Sequence, residues 1–135
     1  METLSQLELQ LAENAKQVSA KSYSPYSKFP VGCAVLDESG NIYTGCNVEN
    51  VSLGLSVCAE RNAVFTAVSQ VGKGLNIKLV VIYTPTSKPT TPCGACRQVL
   101  QEFSDSPKII CTCESDHILI STLRDLFHDP PEIEW

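Results

Sequence analysis

Residues 77–113 read IKLVVIYTPTSKPTTPCGACRQVLQEFSDSPKIICTC, and the fold turns on this stretch. Its opening, Ile77 to Thr84, is a continuous apolar run of strand length, which predicts a buried strand. A loop rich in Pro, Ser and Thr follows. Cys93 to Phe103 reads as a helix and Lys108 to Cys113 as the next strand. Strand, helix and strand in succession are the material of an α/β layer fold.

The flanks extend the pattern. Upstream, Ala59, Ala63, Val64, Ala67 and Val68 form a helical stripe that runs from Cys58 to about Val71 and stops at Gly72. Before it, "VGCAVLD" and "IYTGCNVE" flank the turn cluster Glu38-Ser39-Gly40-Asn41 and predict a hairpin. Leu4, Leu7, Leu11, Ala15 and Val18 recur at three- and four-residue intervals, one apolar face of an N-terminal helix that ends before Pro25. Downstream, His117 to Ile120 is a fifth strand candidate. Thr122 to Phe127 reads as a short closing helix before the pair Pro130-Pro131. The expectation is one domain over residues 1–135, a three-layer α/β domain with its sheet sandwiched by helices.

Bulk composition narrows the function. Apolar residues make up 43% and charged ones 19%, an ordinary globular mixture that argues against disorder or a fibrous repeat. No apolar run approaches the ~20 residues needed to cross a bilayer, and the N-terminus is acidic and polar where a secretory leader would be basic and then apolar. The expectation is a cytoplasmic protein with no membrane partner. A net charge of −5 with no basic stripe argues against a nucleic-acid polymer, which is held chiefly by Lys and Arg. Seven cysteines in a chain without export signals suggest reduced thiols rather than a disulfide framework.

The cysteines carry the chemistry. Cys93 and Cys96 are three apart, so in the first turn of one helix their sulfurs can share a metal. Cys58 opens the preceding helix. Helices entered from the same end of a sheet bring their N-termini together, where open α/β folds place ligands, and helix N-termini favour thiolates. Three thiolates therefore point to one Zn²⁺ with a fourth position open for water, the pattern of a catalytic site. Zinc can lower the pKa of water from 15.7 to about 7, roughly 12 kcal/mol of deprotonation free energy. Glu60, two positions after Cys58, is the candidate proton carrier. Three thiolates on Zn²⁺ leave a net −1, and Arg61 or Arg97 could donate to the sulfurs to offset it; the alternative for each is a surface ion pair.

The segments "CAE" and "PCGACRQVL", together with "YSPYSKFPVGCAVLDESGNIYTGCNVEN", resemble the zinc-dependent cytidine deaminases, in the short nucleoside-acting form, across most of residues 20 to 103. The resemblance implies an α/β/α sandwich around a mixed five-stranded sheet. It implies one zinc per subunit on Cys58, Cys93 and Cys96, with Glu60 as proton shuttle. Hydroxide attack at C4 of the pyrimidine then releases ammonia, turning cytidine and 2′-deoxycytidine into their uridine forms in pyrimidine salvage. It further implies that Phe29 stacks on the base, that Asn47 and Glu49 hold ribose hydroxyls, that the Ala59 backbone reads the ring, and that the protein is a homotetramer. Two features depart from the family pattern: the C-terminal "LFHDPPEIEW", and Leu53 where an aromatic often stands. Both touch the substrate rim and subunit contacts, and Trp135 or Phe127 is the candidate replacement for the aromatic.

Other readings compete. A structural zinc would be closed by a fourth thiol from Cys33, Cys46, Cys111 or Cys113, all four of which read more simply as packing residues on strands. A thiol–disulfide oxidoreductase would use "CGAC" but needs neither Cys58 nor Glu60. A zinc-stabilised binding module would need no Glu60, and a deaminase of a modified cytosine nucleoside would keep every element above and change only the rim. His117 and His128 lie outside the motifs.

Overall fold

The structure is a computed structural model, and it describes residues 3–135. Helix α1 (Gln6–Ser19) begins at a capping box: Ser5 Oγ accepts from the Glu8 amide while the Glu8 carboxylate accepts from the Ser5 amide. The same Glu8 pairs with Lys108 at 2.5 Å, tying α1 to the sheet. Strands β1 (Gly32–Asp37) and β2 (Ile42–Cys46) form the expected hairpin. Its turn is built on buried Asp37, whose carboxylate accepts the Ser39 and Asn41 amides and the Tyr43 hydroxyl.

Next come α2 (Ala59–Val71), β3 (Ile77–Tyr83), α3 (Gly94–Glu102), β4 (Lys108–Thr112), β5 (Leu119–Thr122) and α4 (Leu123–Leu126). The sheet order is β2-β1-β3-β4-β5. Within this sheet β3 and β4, joined by α3, pair in parallel and the other neighbours pair antiparallel, so the sheet is mixed. The fifth strand starts at Leu119, two residues later than the sequence suggests. Ser115 accounts for the delay: its hydroxyl donates to the Ser87 carbonyl and accepts the His117 amide, holding the segment before the strand in a turn.

Alternation along the strands divides two cores. Cys33, Val35, Val80, Ile82, Ile109 and Cys111 face α2, α3 and Leu123 of α4; Ala34, Leu36, Leu79, Val81 and Ile110 face α1. The three-layer α/β/α sandwich is thus present, with one helix on one face and three on the other. Cys33 and Cys111 are fully buried as expected of packing residues, whereas Cys46 and Cys113 are only half-buried.

Glycine sets the distance between layers at two points. A Cβ on Gly45 would stand 2.3 Å from the Ala63 amide nitrogen of α2, and one on Gly32 would stand 1.8 Å from the Ala15 carbonyl of α1. Only a residue without a side chain lets β2 and β1 approach so near to helix backbone. The Gly45 contact matters to the site, because it seats α2 and hence the residues at its N-terminus.

Candidate active site

The N-termini of α2 and α3 meet beside the C-terminal end of β3. Cys58 and Cys93 are the N-cap residues of the two helices, both extended in backbone, at φ −71° and −68°, and neither sulfur takes a capping bond. Each thus lies one residue outside its helix, with its sulfur free to face a ligand. Cys96 sits in the first turn of α3 and is buried. The three sulfurs lie within 4.8 Å of one another, with Cys58 to Cys93 at 3.9 Å and Cys93 to Cys96 at 3.4 Å.

That arrangement can be tested against zinc. Tetrahedral Zn²⁺ with Zn–S bonds of about 2.3 Å spaces its sulfurs about 3.8 Å apart. The observed separations bracket that value, and among the described residues no fourth ligand atom joins the cluster. The donor set is soft and suits zinc. The cluster is positioned for one metal ion.

Its electrostatics support the same reading. Hydrogen bonding from Cys96, and then from the Arg61 guanidinium, holds the Cys58 thiol down to about 5, while Cys96, sharing that bond and buried, is pushed up. Arg61 Nη2 donates to the Cys58 sulfur at 3.5 Å; its Nε is buried and has no partner among the described residues. Glu60 is buried at 5% exposure, and burial is the main reason its carboxyl is raised to about 7, with the Cys58 charge adding to the effect.

Cys58 and Glu60 open onto a cleft of about 460 Å³. Phe29, Asn47, Glu49 and Ala59, each singled out in the sequence, line it with Cys58, Glu60 and Cys93. Asn47 and Glu49 have a structural task as well. Asn47 Oδ1 accepts from Ser22 and from the Val31 amide, and its Nδ2 donates to the Phe29 carbonyl at 2.8 Å. Glu49 accepts the Tyr26 and Ser27 amides and the Ser27 hydroxyl, and the Ser27 hydroxyl bond is the leading cause of its lowered pKa. The two side chains brace the 22–31 loop that presents Phe29.

Among the described residues, Arg97 makes no hydrogen bond to the sulfurs and forms no ion pair. It donates to the carbonyls of Pro92 and Leu126 and to the Thr91 hydroxyl. Arg61 is therefore the arginine on the Cys58 sulfur, whereas Arg97 is taken up by two carbonyls and a hydroxyl. Thr84, Thr90 and Thr91 also line the cleft and went unnoticed in the sequence. The signals were there: Thr84 ends a central strand, and Thr90 and Thr91 directly precede the Cys93 motif.

The cytidine and deoxycytidylate deaminase zinc-binding region matches residues 5–113. The chain belongs to this deaminase family. A cytidine deaminase of Sporosarcina psychrophila is 47% identical over 93 residues, covering 69% of this chain and 67% of that protein. A cytidine deaminase of Mycobacterium tuberculosis is 47% identical over 100 residues, 74% of each chain. The crystal structure of a cytidine deaminase from Burkholderia pseudomallei superposes with a TM-score of 0.87 at 35% identity, covering 94% of this chain and 99% of that one. The family match ends at residue 113, so β5, α4 and the C-terminal segment lie beyond it. Membership in a zinc deaminase family and the sulfur cluster agree on the cofactor.

Proposed function

We propose that this chain hydrolyses the exocyclic amine of cytidine and 2′-deoxycytidine, giving uridine or 2′-deoxyuridine and ammonia. The observation that carries the reading is the buried Glu60 carboxyl lining an open cleft, beside three converging sulfurs. Cys58, Cys93 and Cys96 would hold one Zn²⁺, which when bound supplies a Lewis acid that makes water nucleophilic near neutral pH.

The chain's own groups do the rest. Glu60 takes one proton from the attacking water and gives it to the ring nitrogen N3, then takes the second from the hydroxyl now on C4 and gives it to the departing amine as the C4–N bond breaks, so that one water is consumed and one ammonia released. A carboxyl held near 7 by burial is suited to both directions of that transfer. Arg61 offsets the charge of the sulfur tripod from Cys58. Phe29 offers a face for the base, the Ala59 backbone stands at the helix N-terminus where it can read the ring, and Asn47 and Glu49 line the sugar end of the cleft.

A cleft of this size fits a free nucleoside rather than a polymer, in keeping with the net charge of −5. We further propose that the chain acts as one domain and assembles into a homo-oligomer, the homotetramer of the resemblance. Exposed Val51, Leu53, Leu55 and Phe65 support this. Seven free thiols fit a reducing, cytoplasmic setting.

One observation favours a second substrate. Because Asn47 and Glu49 already brace the 22–31 loop, the sugar end is not committed wholly to ribose, and a sugar-modified cytosine nucleoside fits the same chemistry. Ultraviolet absorbance of cytidine and a nucleoside panel decides between them. Loss of cytidine with equimolar ammonia supports the first reading; inert cytidine beside a consumed analogue supports the second. No turnover of any cytosine nucleoside by zinc-loaded protein rejects both.

A further inference from the structure

Arg97 lies one turn into α3, next to the metal-site cysteines in sequence but turned away from them in space. Its Nε donates to the Pro92 carbonyl at 2.7 Å and its Nη2 to Thr91 Oγ1 at 3.1 Å, while Nη1 donates to the Leu126 carbonyl. Pro92 directly precedes Cys93, is buried, and has no N–H of its own with which to anchor the loop. Thr91 lines the cleft. Leu126 is the last residue of α4, and the final carbonyls of so short a helix lack intrahelical partners. One planar side chain with donors in a fixed fork therefore satisfies both, which a lysine could not do.

Of the three cysteines, Cys93 is the exposed one. Cys96 is buried within α3 and Cys58 is bonded by Arg61, whereas Cys93 is exposed at an N-cap with no capping bond. We propose that Arg97 is a positioning residue that locks the loop delivering Cys93 to the end of α4, so that the C-terminal segment sets where the Cys93 sulfur stands. The inference rests on the reading of the three sulfurs as the metal site. It gives a task to the part of the chain that lies beyond the family match. Coupling of this kind is reciprocal. If α4 steadies the loop for the metal, the metal must steady α4.

The reciprocity supplies a test that does not depend on turnover. Zinc affinity is measured by competition with a chromophoric chelator, and hydrogen exchange is followed at the Phe127 amide, which donates to the Leu123 carbonyl at 2.8 Å. Both are read for the native chain, Arg97→Lys and Thr91→Val, with and without zinc. Groups that orient a metal ligand are worth about 10–100-fold in metal affinity. The expected result is a loss of about tenfold in zinc affinity for Arg97→Lys and a smaller loss for Thr91→Val. Zinc should slow exchange at Phe127 in the native chain and do so much less in Arg97→Lys. An arginine with a merely structural role would change exchange equally with and without zinc, and that outcome overturns the proposal. Unchanged affinity in both variants, against a native chain that holds zinc tightly, also overturns it while leaving the metal site intact. A native chain that binds no zinc overturns the metal reading and this one with it. If circular dichroism shows Arg97→Lys unfolded, Thr91→Val decides on the same two readouts.

Discussion

At the scale of single residues, the site separates groups that react from groups that merely resemble them. Glu60→Gln keeps the volume and burial of the side chain but removes the carboxyl that we propose as the proton carrier. It should retain zinc and secondary structure while kcat falls by about 10²–10⁴-fold in the cytidine assay, the usual worth of a general acid–base. The cysteines divide in the same way. Burial pushes the Cys111 thiol up to about 12 and raises Cys33 as well. At pH 8 both should resist iodoacetamide in the native protein and become alkylated only in denaturant, as peptide mass spectrometry would report. The converging trio was legible in the sequence because N-cap placement and three-residue spacing are local properties. The acceptors of Arg97 were not legible, since Leu126 lies 29 positions away and only the packing of α4 on α3 brings it near. For the same reason the sequence could place Asn47 and Glu49 at the cleft, but not reveal that the 22–31 loop occupies their polar atoms.

At the scale of elements, the helices are held to the sheet by close approach as much as by apolar burial. Gly45→Ala would drive a methyl into the Ala63 amide of α2, and the overpacking should cost on the order of 1–3 kcal/mol, seen as a lower midpoint in denaturant. Because α2 carries Cys58 and Glu60 at its start, the same variant should also weaken zinc binding. At the other face, Ser5→Ala removes the α1 cap and should cost about 1 kcal/mol with no change in kcat/KM, since α1 lies across the sheet from the cleft. The sequence disclosed every strand and helix named here, α1 and α2 by a helical stripe, β1 and β2 by the turn cluster between them, and β3 by a continuous apolar run that matches a strand buried on both faces. It misplaced the start of β5, where the Ser115 hydrogen bonds rather than hydropathy decide where the chain straightens.

At the scale of the whole molecule, a mixed sheet brings two helix N-termini to one edge and leaves a cleft above them, while apolar side chains remain uncovered elsewhere. Val48 and Phe65 line a shallow groove against α2, and both are nearly half exposed. If copies of the chain pack through this surface, sedimentation should show species heavier than the 14.7 kDa chain, and Phe65→Asp should shift them toward monomer. The proposed chemistry depends most on the sulfur tripod, and zinc-edge X-ray absorption of the metal-loaded protein tests it most directly. It should show three Zn–S distances of about 2.3 Å and one oxygen or nitrogen neighbour near 2.0 Å. Four sulfur neighbours, or a protein that takes up no zinc, would contradict it.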